Sequence, residues 1–128
     1  MHPTAIDWEP DERAEIEQAI AKYPPERTRC AALARLVHPI ARSRDEQTRG
    51  LQIRPLHAPW IVLNRGSPRI WASHTLVETQ GHNVDALTGA DGCASERYLG
   101  THFLFPDKIQ VEEVDVFSID TWIEEETA

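Results

Sequence analysis

The chain has 128 residues, enough for one compact domain with a hydrophobic core and too few for two ordinary ones. Its hydrophobic fraction of 41% is globular, and no apolar run approaches the roughly 18 residues of a membrane span. A net charge of −8 argues against a general nucleic-acid binder.

The first residues, Met1 to Pro10, lack the charged-then-apolar plan of a signal peptide. The chain is therefore read as soluble, either alone or as a domain of something longer. The charge is uneven. Residues 27–54 hold seven arginines against Asp45 and Glu46, a local balance of +5, which leaves −13 on the other 100 residues. A solvated surface is the simplest reading of that segment; the alternative is a patch that attracts an acidic partner.

The elements follow in chain order. Asp7-Trp8-Glu9-Pro10-Asp11-Glu12 has the marks of a helix start, with proline in the first turn and carboxylates at the positive end. The helix is predicted to run to about Lys22, with Ile16, Ala19 and Ile20 on one face, and to stop at Pro24 and Pro25. A second helix is expected to begin with Thr28 as N-cap and continue through Cys30 to Val37. Pro39 should end or kink it near His38, and polar Ser43 to Gly50 reads as a loop.

From Leu51 the pattern turns to strands. Leu51–Leu56 and Trp60–Asn64 are short candidates, and Gly66-Ser67-Pro68 is a turn. Arg69–Glu78 and Asn83–Leu87 form the clearest hairpin, joined around Gln80-Gly81. Ser95–Gly100 suits a short helical turn. Ile109–Ile119 alternates with a shift near Glu113 that suggests a bulge. The tail from Glu124 is acidic. Helices first and an antiparallel sheet afterwards predict an α+β fold, one domain over 1–128, with the helices packed on one face of the sheet.

Two cysteines, Cys30 and Cys93, are too few for a disulfide framework. No CxxC or HExxH motif and no phosphate-cradling glycine loop is present, so no metal or cofactor is expected. Cys30 falls in the first turn of the second helix, where the helix dipole and the neighbouring Arg27 and Arg29 favour a thiolate. Taken alone, it reads first as a small buried hydrophobe on the inner helix face.

His74 strengthens the case. It lies mid-strand, on alternation sharing a face with Ile70, Ala72 and Leu76. A turn at Gln80-Gly81 pairs residues whose numbers sum to about 161, which sets Asp85 opposite Leu76 and diagonal to His74. A carboxylate there needs a partner, and an imidazole N–H suits it. Alternatively, Asp85 begins the turn Ala86–Gly89 and caps it locally. Cys30, His74 and Asp85 are thus the candidate nucleophile, base and orienting residue. Cys93, His102 and His82 are weaker candidates, with His82 expected in solvent beside the hairpin tip. Trp60 and Trp71 read as core or cleft wall, and Glu112, Glu113 and Asp115 as a solvated strand face.

The motifs Cys30-Ala31-Ala32-Leu33-Ala34, Trp71-Ala72-Ser73-His74-Thr75-Leu76-Val77 and Val84-Asp85-Ala86-Leu87-Thr88-Gly89, with Tyr98-Leu99 beyond, resemble the papain-fold toxin domains of bacterial polymorphic toxin and effector systems. The resemblance covers roughly residues 26 to 100 and rests on motif order and spacing. It implies a papain-like fold and a cysteine hydrolase with Cys30, His74 and Asp85 as its triad. Protease, deamidase and acyltransferase chemistry remain open. It further implies a protein or peptide substrate, a cognate immunity protein as partner, and action in the cytoplasm, with delivery into a target cell by a secretion system. No nucleic-acid or membrane partner is expected. Papain-like proteases carry a glutamine shortly before the cysteine, whereas this chain reads Tyr23-Pro24-Pro25-Glu26. Backbone N–H groups, or a distant residue such as Gln18, would have to receive the oxyanion. The alternative to an enzyme is an idle papain-like binding, immunity or accessory module that uses its acidic surface.

Overall fold

The computed structural model describes residues 6–25, 29–64 and 70–119. Helix α1 spans Pro10–Lys22, the expected bounds, with Pro10, Asp11 and Glu12 in its first turn. Glu9 donates its backbone N–H to Glu12 Oε1 at 2.8 Å, which closes that end. Ile16 and Ala19 are buried, and Ile20 packs at the margin of the same cluster. Just ahead of the helix, Trp8 donates its indole N–H to the Ala90 carbonyl at 2.8 Å.

Helix α2 spans Cys30–Arg44 and carries Pro39 inside it, so of the two expected outcomes near His38, an end or a kink, the end does not occur. An interior proline costs about 3 kcal/mol. Ala34, Val37 and Ala41 extend one buried stripe across it, so tertiary packing outweighs the local penalty. Arg29 is the N-cap, without a side-chain cap bond. The expected cap Thr28 lies outside the described residues, as do Arg27, the turn Gly66-Ser67-Pro68 and the tail from Glu124.

The strands are β1 (Arg49–Pro55), β2 (Ile61–Leu63), β3 (Ile70–Trp71), β4 (His74–Thr79), β5 (His82–Val84), β6 (Cys93–Ala94), β7 (Phe103–Leu104) and β8 (Ile109–Val114). Helix α3, Ser95–His102, joins β6 to β7. One sheet has the order β6-β5-β4-β1-β8 and the other β3-β2-β7, and all their pairings are antiparallel. The α+β class and the antiparallel sheet are therefore as expected. The predicted strand over 69–78 is really two. The chain leaves the small sheet after Trp71 and enters the large one at His74, so Ile70 and Ala72 do not share a strand with His74.

The five-stranded sheet separates two cores. On one side Val77 and Val84 meet Ile16, Ala19, Leu33, Val37, Ala41 and Val116, beneath the helices. On the other, Leu51, Ile53 and Leu76 meet Ile61, Leu63, Trp71 and Phe103 of the small sheet and Tyr98 of α3. Period-2 alternation along β4 divides its side chains between these cores.

The last strand differs from expectation. The pairing of β8 with β1 runs unbroken from Gly50↔Val114 to Pro55↔Ile109, so there is no bulge at Glu113. The shift in pattern is a turn, in which Ser118 donates its N–H to the Asp115 carbonyl at 3.0 Å. That turn carries Val116 under the sheet into the helix-side core.

Part of the arginine segment is matched within the chain. Arg35 donates to the Val116 carbonyl at 2.8 Å. Arg44 lies 3.0 Å from Asp7, 3.5 Å from Glu9 and 3.4 Å from Glu12. Arg49 pairs with Glu78 at 2.6 Å and Glu113 at 3.3 Å, and Arg54 with Glu112 at 2.7 Å. Three of the seven arginines, Arg44, Arg49 and Arg54, are thus paired with carboxylates of the chain itself. No helix among the described residues is long and apolar enough to cross a membrane.

Candidate active site

The hairpin of β4 and β5 sets the geometry. Its two-residue loop, Gln80–Gly81, has φ values of 51° and 75°, the paired positive values of a type I′ turn. That turn fixes the register as Val77↔Val84, Glu78↔Asn83 and Thr79↔His82. One step past Val84, Asp85 falls beside Leu76 and reaches diagonally to His74. The His74 Nε2 and Asp85 Oδ2 atoms are 2.7 Å apart, with each residue only 2% exposed.

Asp85 fulfils both sequence readings at once. Its Oδ1 accepts the backbone N–H groups of Leu87 at 2.9 Å and Thr88 at 3.0 Å, so it does cap the local turn. Its Oδ2 takes His74 and also the Tyr98 hydroxyl. Burial by itself would push the Asp85 carboxyl up. The hydrogen bond and charge of His74, with the Tyr98 hydroxyl and the Thr88 N–H, outweigh it and hold the carboxyl below its ordinary value. The Tyr98 phenol is driven well above its ordinary value by burial and by the Asp85 charge, with Cys30 and Cys93 adding to the effect. Tyr98 therefore remains a donor.

An ionised carboxylate can only accept, so His74 must carry a proton on Nε2. In the neutral ring this leaves Nδ1 as the basic nitrogen. His74 Nδ1 is buried and has no hydrogen-bond partner. Trp71 covers the imidazole, with ring centroids 4.6 Å apart and planes tilted by 30°, and its own Nε1 is also buried and unpartnered. Buried polar atoms of this kind are rare and call for an explanation.

Cys30 is the first residue of α2 and is half-buried. Its Sγ accepts the backbone N–H of Thr75, the residue after His74, at 3.3 Å. β5 ends at Val84, opposite Val77, and α2 packs against β4. The first turn of α2 carries no acidic residue to oppose a thiolate. The Arg29 guanidinium, next in sequence, lies over the Tyr23 ring at 5.5 Å. The fold thus brings Cys30 against the backbone beside His74, and His74 against Asp85.

The remaining candidates are dispersed. Cys93 pairs with Asn83 in the sheet and packs partly buried against the core. Gln18 is exposed on α1. His102 closes α3, its ring 5.2 Å from that of Tyr98. His82 is not in solvent. It is 3% exposed because β6 pairs across it at Ala94, and its Nδ1 bonds the Gln80 carbonyl at 2.8 Å. Trp71 forms a wall of the site, while Trp60 is exposed. Glu112, Glu113 and Asp115 lie on the surface as expected.

Sequence reasoning gave Tyr98 no role. The available signal was a lone tyrosine in a short polar helix, since a buried tyrosine needs a hydroxyl partner. No protein-family model, curated protein or solved structure matches this chain.

Proposed function

We propose that the chain is a papain-like cysteine hydrolase that attacks a protein or peptide amide, with Cys30 as nucleophile, His74 as base and Asp85 as orienting residue. The observation that carries this reading is His74 itself. Its Nε2 is committed to Asp85 at 2.7 Å, while its buried Nδ1 lacks a partner, beside the strand residue whose N–H meets Cys30 Sγ.

The chemistry would run as follows. The Cys30 thiol gives its proton to His74 Nδ1, and the thiolate sulfur bonds the substrate carbonyl carbon. The oxyanion that forms lies near the positive end of α2. When it collapses, the C–N bond breaks and the leaving amine takes the proton back from Nδ1. Water then attacks the thioester, the acid departs, and the thiol is restored. Release of a peptide amine makes the enzyme a protease, release of ammonia a deamidase, and capture by another amine a transferase.

The motif resemblance supports the catalytic domain of a bacterial toxin or effector acting in the cytoplasm of a target cell, with an immunity protein as partner. Expression in bacteria tests this. Wild type should arrest growth, and Cys30→Ala and His74→Ala should not. Harmless accumulation of folded wild-type protein would overturn the toxin assignment. The burial of His74 favours a second reading, a catalytically idle module that binds a basic partner through its acidic surface. Partner capture that persists in Cys30→Ala and collapses at high salt would support that reading instead.

A further inference from the structure

The hydroxyl of Tyr98 donates to Asp85 Oδ2, the same oxygen that holds His74 Nε2. Tyr98 is fully buried and comes from α3, an element that contributes nothing else to the candidate triad. Its ring is confined by His102 at 5.2 Å and Phe103 at 5.8 Å between centroids.

The division of labour on Asp85 has a consequence. Two backbone N–H groups fix Oδ1, from Leu87 and Thr88. With only His74 on it, Oδ2 could still tilt out of line with the imidazole. A second donor on Oδ2 occupies one lone-pair direction and leaves the other for His74. The carboxylate plane is then set by four donors, and it sets in turn the plane and tautomer of the ring. The groups facing this carboxylate are His74 from β4 and Tyr98 from α3, while Cys30 of α2 and Cys93 of β6 act on Tyr98.

We propose that Tyr98 is a positioning residue of the Cys30 site: its hydroxyl locks Asp85 so that His74 keeps its proton on Nε2 and presents Nδ1 as the base. As a positioning role, this rests on the cysteine-hydrolase reading, but the lock itself can be measured independently of catalysis.

The test uses the full chain with nitrogen-labelled histidine and reads the His74 tautomer by NMR, alongside the rate of Cys30 alkylation by iodoacetamide followed by peptide mass. Wild type should show a single Nε2–H form. Tyr98→Phe should show mixed or broadened ring signals, and its Cys30 rate should fall about tenfold, a fraction of the 10²–10⁴-fold that a positioned base contributes. A single Nε2–H form and an unchanged rate in folded Tyr98→Phe would overturn the proposal. If that variant does not fold, the wild-type hydroxyl proton decides. Protection from exchange supports the lock, and exchange as fast as in an exposed tyrosine overturns it. A wild-type Cys30 no faster than a free thiol defeats the hydrolase reading, while the tautomer comparison still decides whether Tyr98 holds Asp85 and His74.

Discussion

His74 and Asp85 are eleven positions apart in sequence and 2.7 Å apart between Nε2 and Oδ2, joined across the open end of a hairpin whose turn is Gln80–Gly81. Both are almost fully buried. Breaking a buried pair by removing one partner leaves the other uncompensated. Asp85→Ala would strip acceptors from His74, Tyr98, Leu87 and Thr88 together. It should destabilise the fold by about 3–5 kcal/mol in urea titration.

The pH dependence has a definite sign. The folded Asp85 carboxyl lies below its ordinary value, held there by His74, Tyr98 and Thr88 against the opposing effect of burial. Its contribution to stability is therefore complete above the unfolded carboxyl value of about 3.9 and is lost as pH falls through the lower folded value. Wild type should lose stability steeply below about pH 4, and Asp85→Asn should lose less over the same range. Denaturant midpoints from pH 5 down to pH 2 check this, and parallel curves would contradict it.

Gly50 is required by close packing. A Cβ there would lie 2.4 Å from Val116 Cγ1 and 2.8 Å from the Val114 carbonyl oxygen. Gly50→Ala should cost about 1–3 kcal/mol through overpacking. Gly100 in α3 has open space around its Cβ position, so Gly100→Ala should be neutral or stabilising by up to about 1 kcal/mol. Thermal unfolding of the two variants side by side measures the contrast.

Pro39 is a local misfit that packing overrides. Pro39→Ala restores a backbone donor inside α2 and relieves the clash with the preceding turn. We expect a gain of about 1–3 kcal/mol in denaturant stability. A loss would mean that the proline ring has a packing role of its own.

Local chemistry made the hairpin legible. A two-residue turn with glycine second permits one tight register, and the register carries Asp85 to His74 without knowledge of the rest of the fold. Helix α1 was legible for the same reason, since its proline and acids mark its start. What was missed depends on distant segments. The buried stripe of α2 continues past Pro39 because the sheet is there to receive Val37 and Ala41. His82 looked solvated because the covering strand at Cys93–Ala94 lies eleven residues on. Val116 looked like strand because its burial is set by Gly50 on a neighbouring strand. Tyr98 escaped notice because its partner, Asp85, belongs to another element.

The most direct measurement is the second-order rate of Cys30 alkylation by iodoacetamide at neutral pH, resolved from Cys93 by peptide mass, in wild type and His74→Ala. The account predicts that wild-type Cys30 reacts well above a free thiol and that His74→Ala brings it back to that level. A Cys30 that reacts no faster than a free thiol in the folded wild-type protein, or equally fast with and without His74, would contradict it.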